Sequence, residues 1–253
     1  MPDMRTDPTP SLSIGLVLYP GFTQLDLAGP YEVFSRLAGT VVHLIAETAG
    51  AVASEKGLAI VAATTFDQAP PLDVLCVPGG PGQTAMMEHA PLIHFLQERG
   101  RTARYVTAVC TGALLLGAAG LLRGYRATTH WLSLDLLAPL GAIPVNERVV
   151  IDRNRITGGG VTAGIDFGLV LAVELRGEAV AREIQLLIEY DPAPPFTGGH
   201  PRTADPALVA QVTQARGEFQ ERRRVQVERI GAELIRGGSP PTAWRRSAGG
   251  RSG

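Results

Sequence analysis

One stretch constrains the fold more than any other, and it is Tyr105-Val106-Thr107-Ala108-Val109-Cys110-Thr111-Gly112-Ala113-Leu114-Leu115-Leu116. Its first half is apolar and β-branched and its second half is rich in alanine and leucine, so it predicts a buried strand that turns sharply into a buried helix. Cys110 lies at the turn, with Ala108 and Gly112 two residues to either side. This spacing is typical of a nucleophile elbow, where larger neighbours would clash with the tight backbone.

A thiol at the first turn of a helix lies near unpaired backbone N–H groups and the positive end of the helix dipole. Both favour the thiolate, so Cys110 is predicted to be a nucleophile near neutral pH. The structural alternative is a free cysteine packed as a small hydrophobic side chain. The elbow spacing and its strand-turn-helix context favour the reactive interpretation. The second cysteine, Cys76, lies in a predicted core strand and is interpreted as a core residue.

Composition bounds the class of protein. With 253 residues, of which 45% are hydrophobic, the chain is long enough for one large α/β domain. The net charge of −1 argues against nucleic acid as a partner, and no apolar run is long enough for a membrane span. The polar N-terminus is not a secretory signal, and two cysteines on buried strands fit a reducing cytoplasm without disulfides. We expect one domain over residues 12–236, with disordered tails at 1–11 and 237–253.

Strands and helices are predicted to alternate along the chain. Strands are predicted at 13–19, 41–46, 72–77 and 105–109, with hairpins at 51–62 and 147–157, and helices at 31–37, 91–97, 112–116, 132–137, 165–175, 178–190 and 208–235. Pro30 suits a helix start, which leaves Asp26 in the loop after the first strand. The alternation predicts a flavodoxin-like α/β fold, a doubly wound and mostly parallel sheet sandwiched by helices. In such sheets Asp26, Gly79, Gly80 and Cys110 all emerge at the ligand-binding edge.

Two further motifs are given structural interpretations. The run Arg222-Arg223-Arg224 is interleaved with Glu218, Glu221 and Glu228, so it is interpreted as a solvated helix face rather than a nucleic-acid patch. The run Gly158-Gly159-Gly160 lacks the lysine of a P-loop, and a tight strand-to-helix turn explains it as well as an anion site does.

The elbow cysteine, the loop Pro78-Gly79-Gly80 and the acid after the first strand resemble the ThiJ/PfpI superfamily of class I glutamine-amidotransferase-like proteins. Within it, the runs at 25–30, 109–112, 117–122, 127–131 and 157–167 are similar to those of the isonitrile (isocyanide) hydratases. The resemblance spans about residues 13–232. It implies a homodimer that adds water to a small isocyanide to give a formamide, with no metal or organic cofactor.

The same resemblance implies roles for three residues. Cys110 would be the nucleophile that forms a covalent thioimidate, Asp26 the acid beside it, and Thr111 a group whose hydroxyl or amide serves the intermediate. Most of the superfamily has glutamate where this chain has Asp26. The shorter side chain leaves space for substrate or water between the carboxyl and the sulfur, which favours hydration over redox or glyoxalase roles.

The chemistry also follows from the residue types. Attack of a thiolate on the isocyanide carbon places negative charge on carbon and nitrogen, which a protonated Asp26 in a desolvated pocket would neutralise. Once ionised, the same carboxyl would activate water against the thioimidate. Backbone N–H groups of Gly80 and Thr111 are the expected anion donors, and glycine at 79 and 80 lets the main chain approach closely. The structural alternative for Asp26 is a helix N-cap.

His130 leaves an alternative open. It follows Cys110 by twenty residues, the spacing at which many superfamily members place a histidine beside the thiol, and a Cys-His pair would make an amidase or peptidase. We favour a structural His130, since hydration assisted by Asp26 needs no imidazole.

Two further classes compete with a stand-alone enzyme. One is the sensing domain of AraC-type regulators, which shares the motifs around Cys110 and at 127–131 but precedes a helix-turn-helix domain. The 63 residues after Tyr190 are expected to be too few for such a domain and its linker. The other is an oxidative-stress sensor, because a low-pKa thiol oxidises readily. We therefore predict an enzyme, with sensing as the alternative.

Overall fold

A computed structural model describes residues 11–237, where strands and helices alternate along the chain. The strands are β1 (Leu12–Val17), β2 (Thr40–Ala46), β3 (Gly50–Ala53), β4 (Ala59–Ala62), β5 (Thr64–Thr65), β6 (Val74–Val77), β7 (Tyr105–Val109), β8 (Arg126–Ala127), β9 (Ile143–Pro144), β10 (Val149–Asp152) and β11 (Arg155–Gly158). The α-helices are α1 (Gln24–Phe34), α2 (Gln83–Met86), α3 (Ala90–Thr102), α4 (Gly112–Ala118), α5 (Ala163–Arg176), α6 (Glu178–Leu187), α7 (Pro206–Ala215) and α8 (Gly217–Gly237), and a 3₁₀ helix spans Trp131–Leu137.

The central sheet has seven strands in the order β10-β11-β7-β6-β1-β2-β5. Every neighbouring pair in it is parallel except the β10–β11 hairpin at one edge. Strand β1 lies between β2 and β6, so the chain extends from it to β2 on one side and to β6 on the other. This is the predicted doubly wound α/β fold, and the crevice at the carboxyl ends of β1, β6 and β7 is where such sheets bind ligands.

The strands that carry the crevice are buried on both faces. All four residues of β6 are buried, as are the last four of β7, which is why these strands have nearly continuous apolar sequences. The buried hydrophobic residues form a core cluster that runs from Leu12 to Ile230. None of the described helices is long and apolar enough to cross a membrane.

Helix α1 corrects the expectation that Asp26 lies in a loop. The helix begins at Gln24 rather than at Tyr31, so Asp26 is in its first turn and Pro30 lies inside it. Proline inside a helix removes one backbone hydrogen bond, but its fixed φ is compatible with helical geometry. Close packing on α5 holds this segment, because a β-carbon on Gly164 would lie only 3.0 Å from Pro30 Cδ. The tertiary contact therefore outweighs the local helix-start signal.

The C-terminal amphipathic stretch forms two helices rather than one. Helix α7 ends at Ala215 and α8 begins at Gly217, with Arg216 between them at φ −105° and ψ 0°. Glycine is a poor helix former, which explains why the stretch breaks there. Of the two predicted tails, only Ser11 and Gly237 fall within the described residues, and the rest of each tail lies outside them.

Candidate active site

Cys110 is located at a strained corner. Strand β7 ends at Val109, α4 begins at Gly112, and Cys110 has φ +54°, a left-handed conformation that is uncommon for residues other than glycine. Its backbone is held on both sides, because its N–H donates to the Gly158 carbonyl at 3.0 Å and its carbonyl accepts the Thr129 hydroxyl at 2.7 Å. The predicted elbow with a strained cysteine is confirmed.

Two glycines allow the elbow to lie tightly against the end of β6. A β-carbon on Gly112 would lie 2.1 Å from the carbonyl oxygen of Val77, and one on Gly79 would lie 2.5 Å from the backbone nitrogen of Thr111. Both distances are far below van der Waals contact, so no larger residue fits at either position without moving the backbone. These contacts bring the β6 loop, the elbow and the first turn of α1 together.

The Asp26 carboxyl is completely buried in this place. Its Oδ2 accepts the Gly79 N–H at 2.9 Å, whereas Oδ1 is buried with no hydrogen-bond partner in the described part of the chain. Burial raises the pKa of Asp26 to about 7, although the Gly79 amide and the Cys110 thiol partly offset that effect. Asp26 is therefore poised to exchange a proton near neutral pH, and Oδ1 is the oxygen free to carry it.

The pKa of the Cys110 thiol differs from the value expected from the sequence. Burial, followed by the charge of Asp26, raises the pKa of Cys110 well above its ordinary value, and the backbone amide of Thr111 only partly counteracts this. The expectation of a thiolate favoured by the helix N-terminus is therefore wrong, because loss of hydration outweighs the dipole. A buried thiol of this kind reacts only when a neighbouring base takes its proton, and the carboxyl of Asp26 is that neighbour.

The two predicted anion donors, the backbone N–H groups of Gly80 and Thr111, differ in their hydrogen-bond partners. The Gly80 N–H donates to the Thr111 hydroxyl at 3.0 Å, so this donor is already engaged. The backbone N–H of Thr111 is directed at the Cys110 sulfur. Of the two, the Thr111 amide is therefore better placed to stabilise charge that develops beside the sulfur, while the Thr111 hydroxyl fixes the Pro78-Gly79-Gly80 loop.

His130 lines the site but has a structural contact. Its Nδ1 accepts the backbone N–H of Leu132 at 3.3 Å and so caps the 3₁₀ helix. Burial, together with the positive charges of Arg223 and Arg216, lowers the pKa of His130 to about 4, which leaves the ring uncharged at neutral pH. Within the described residues no hydrogen bond joins it to Cys110. The geometry does not assemble a Cys-His pair.

A cavity of about 280 Å³ opens above Cys110. Its apolar wall includes Trp131, Leu132, Val161, Val212 and Phe219. The polar and ionisable side chains that line it are those of Thr23, Glu55, Cys110, Thr111, His130, Arg216, Gln220 and Arg223. Helices α7 and α8 supply part of the wall, and sequence reasoning did not place them at the site.

A larger groove of about 560 Å³ near the end of α8 contains none of the predicted catalytic residues. No cluster of three or more potential metal ligands occurs among residues 11–237.

Arg223 corrects the interpretation of the arginine run as a solvated face. Its relative exposure is 3%, whereas the side chains of Arg222 and Arg224 are 70% and 40% exposed. The signal was present in the spacing, because Arg223 precedes the buried Val227 and Ile230 by four and seven residues and so shares their helix face. Arg223 is therefore the one member of the run that faces the pocket.

Comparisons with known proteins identify the family to which this fold and site are similar. The chain matches the DJ-1/PfpI family over residues 13–174. An isonitrile hydratase from Pseudomonas putida is 50% identical over 224 residues, which cover 88% of this chain and 98% of the relative. An HTH-type transcriptional regulator from Pseudomonas aeruginosa is 33% identical over 71% of this chain, but the match spans only 51% of the regulator. The crystal structure of a ThiJ/PfpI family protein from Pseudomonas syringae superposes with a TM-score of 0.84 at 44% identity, covering 90% of this chain and 97% of that one.

Proposed function

The chain belongs to the DJ-1/PfpI family, and we propose that it is an isonitrile hydratase, an enzyme that adds water to an isocyanide, R–N≡C, to give the formamide R–NH–CHO. The observation that carries the proposal is the pairing of the strained, buried Cys110 thiol with the buried Asp26 carboxyl. The isonitrile hydratase from Pseudomonas putida, which matches nearly end to end, supports the same activity. Its substrate is then a small molecule that enters the cavity above Cys110.

The first half-reaction forms a carbon–sulfur bond. Ionised Asp26 takes the thiol proton of Cys110, and the sulfur attacks the terminal carbon of the isocyanide. Asp26 then returns that proton to the same carbon, which gives the neutral thioimidate R–N=CH–S on Cys110. The Thr111 amide, which is directed at the sulfur, stabilises the negative charge during the attack. Asp26 ends this step as a carboxylate.

The second half-reaction breaks that bond. Asp26 takes a proton from water as the water oxygen attacks the thioimidate carbon, and it passes this proton to the nitrogen. The hydroxyl proton of the tetrahedral intermediate then leaves through Asp26 to the sulfur as the carbon–sulfur bond breaks. The products are R–NH–CHO and the original Cys110 thiol. One water is consumed, and nothing is oxidised or reduced.

The direct test of the activity uses purified protein and a simple isocyanide. Loss of the isocyanide absorption is followed while the formamide is measured, and the two are expected to match one to one. Protein that leaves the isocyanide unchanged over many hours at neutral pH would contradict the proposal. An amide offered in parallel tests the amidase alternative, which requires ammonia release.

His130→Ala is expected to reduce isocyanide turnover by less than about tenfold, because the ring is uncharged and its nitrogen caps a helix. The variant should lose about 1 kcal/mol of unfolding free energy with the cap. His130→Asn, which keeps a capping acceptor, should recover most of that stability. Steady-state kinetics and thermal unfolding check both. A folded His130 variant as inactive as Cys110→Ala would revive the Cys-His amidase alternative.

We further propose a cytoplasmic homodimer that binds no nucleic acid. The family resemblance and the prevalence of two-fold pairing support the dimer, and two free cysteines support a reducing compartment. Sedimentation at micromolar concentration is expected to give twice the chain mass of 26.7 kDa. A species of the chain mass alone would contradict the dimer, and recovery of the protein outside the cytoplasmic fraction of cells would contradict the location.

A further inference from the structure

Arg223 is a buried cation without a carboxylate partner. Its guanidinium donates to the Ser133 hydroxyl at 2.9 Å, to the Thr84 hydroxyl at 3.2 Å and to Gln220 Oε1 at 3.5 Å, and it lies 4.5 Å from the centre of the Phe219 ring. No ion pair involves it within the described residues, and its Nη2 makes no hydrogen bond to them. A buried charge left without a counter-ion is costly, so its retention beside a cavity indicates that a bound anion completes it.

The cavity around Arg223 has the polarity that an anionic ligand needs. Arg216, exposed on the short connection between α7 and α8, lines the same cavity and also forms no ion pair within residues 11–237. The one acid in the lining is Glu55, whose carboxyl accepts the Thr23 hydroxyl at 2.8 Å. The remaining wall is apolar and includes Trp131. A ligand with a short apolar part and one negative group matches this lining.

We propose that Arg223, assisted by Arg216, forms an anion subsite in the isocyanide pocket, and that the substrates are isocyanides bearing a carboxylate. The inference rests on the proposed hydratase function. The isocyano carbon would lie at the Cys110 sulfur. The carboxylate would accept a charge-assisted hydrogen bond from Nη2, which lies in the plane of the Arg223 guanidinium and makes no hydrogen bond to the described residues. The hydroxyls of Thr84 and Ser133 hold that plane in place. Arg223 thereby selects among isocyanides.

The experiment compares two substrates that differ mainly in charge, isocyanoacetate and its methyl ester, with 3-isocyanopropanoate to cover a longer reach. Wild-type protein is expected to hydrate one of the carboxylates with a kcat/KM at least about tenfold above that of the ester, which is the usual worth of a charge-assisted hydrogen bond. Added salt should reduce this preference, since screening weakens the attraction of Arg216.

Variants locate the preference. Arg223→Gln is expected to lower kcat/KM for the carboxylate by about 10- to 100-fold while changing that for the ester less than about threefold. Arg223→Lys keeps the charge and should retain part of the preference. Arg222→Gln is the matched control, because its side chain is 70% exposed and pairs only at 3.9 Å with Glu218. Arg216 is exposed, so Arg216→Gln should fold, and it should lower carboxylate turnover by about two- to fivefold. This variant keeps the subsite testable if Arg223→Gln fails to fold.

Two results would overturn the subsite. One is a wild-type enzyme whose kcat/KM for the ester equals or exceeds its kcat/KM for both carboxylates. The other is a folded Arg223→Gln that loses activity equally on both, since Arg223 would then act on the reaction at Cys110 rather than on recognition. If wild-type protein hydrates no isocyanide at all, the proposed function itself fails. Turnover of the ester without preference for the carboxylates removes the subsite alone.

Discussion

Cys110→Ala is expected to reduce isocyanide hydration by more than about 10⁴-fold, to the level of the uncatalysed reaction. The reason is that the proposed path passes through a bond between carbon and this sulfur, and the cavity offers no second thiol. The substitution removes one atom at a strained corner, where the backbone is held by Gly158 and Thr129, so the fold should persist. Formamide production measured by NMR, together with circular dichroism, checks both parts.

Cys76→Ala is the matched control for this loss. Cys76 lies in β6 and is fully buried, and burial raises its pKa to about 12, which makes it a poor nucleophile. Its removal should cost at most about 1 to 2 kcal/mol of unfolding free energy and leave turnover within about twofold of wild type. Substantial turnover by a folded Cys110→Ala protein, or total loss in Cys76→Ala, would place the nucleophile elsewhere.

Asp26→Asn is expected to lower kcat/KM by roughly 10²- to 10⁴-fold, the usual contribution of general acid–base catalysis. Asparagine keeps the shape and can still accept the Gly79 N–H, but it cannot take the proton of a thiol whose pKa is raised by burial. In the wild type, activity should fall as the pH decreases through about 7, because protonation of Asp26 removes the base. This limb of the pH–rate profile should be missing from the variant.

Asp26→Asn is expected to raise the free energy of unfolding, although it lowers activity. Because burial raises the pKa of Asp26 from the ordinary value of about 4 to about 7, the folded protein binds more protons than the unfolded chain between those pH values. The contribution of the Asp26 carboxyl to the unfolding free energy of the wild type is therefore fully present below about pH 4, and it is lost as the pH rises through 7. Asp26→Asn should become more stable than wild type over that interval, by up to about 4 kcal/mol. Urea unfolding at pH 4.5 and pH 8 measures it, and a variant that is less stable at pH 8 would contradict the buried-carboxyl account.

The elbow was predictable because its determinants are local. The strand, the turn and the helix lie within twelve consecutive residues, and the small neighbours of Cys110 are needed for contacts that any such turn makes. Gly112 shows this directly, since a side chain there would meet the carbonyl of Val77. The doubly wound, mostly parallel sheet was predictable because alternating strands and helices permit few arrangements.

Asp26 and Arg223 were misplaced because their settings depend on distant segments. Pro30 marks a helix start locally, but contact with Gly164 lets the helix continue through it and places Asp26 on its first turn. Arg222, Arg223 and Arg224 are consecutive, yet successive helical residues point about 100° apart, so one of them can be buried between two solvated neighbours. Which one is buried depends on how α8 packs beside α4 and the 3₁₀ helix, and charge pattern alone does not encode that.

Intact-protein mass spectrometry of enzyme mixed with an isocyanide and quenched during the first turnover tests the covalent hydratase mechanism most directly. Wild type is compared with Asp26→Asn, in which both half-reactions lose their proton carrier. The account predicts a transient mass increase equal to one whole isocyanide, mapped to Cys110 by peptide analysis, that decays as formamide appears. Formamide released by both proteins while Cys110 stays unmodified at every time point would contradict it.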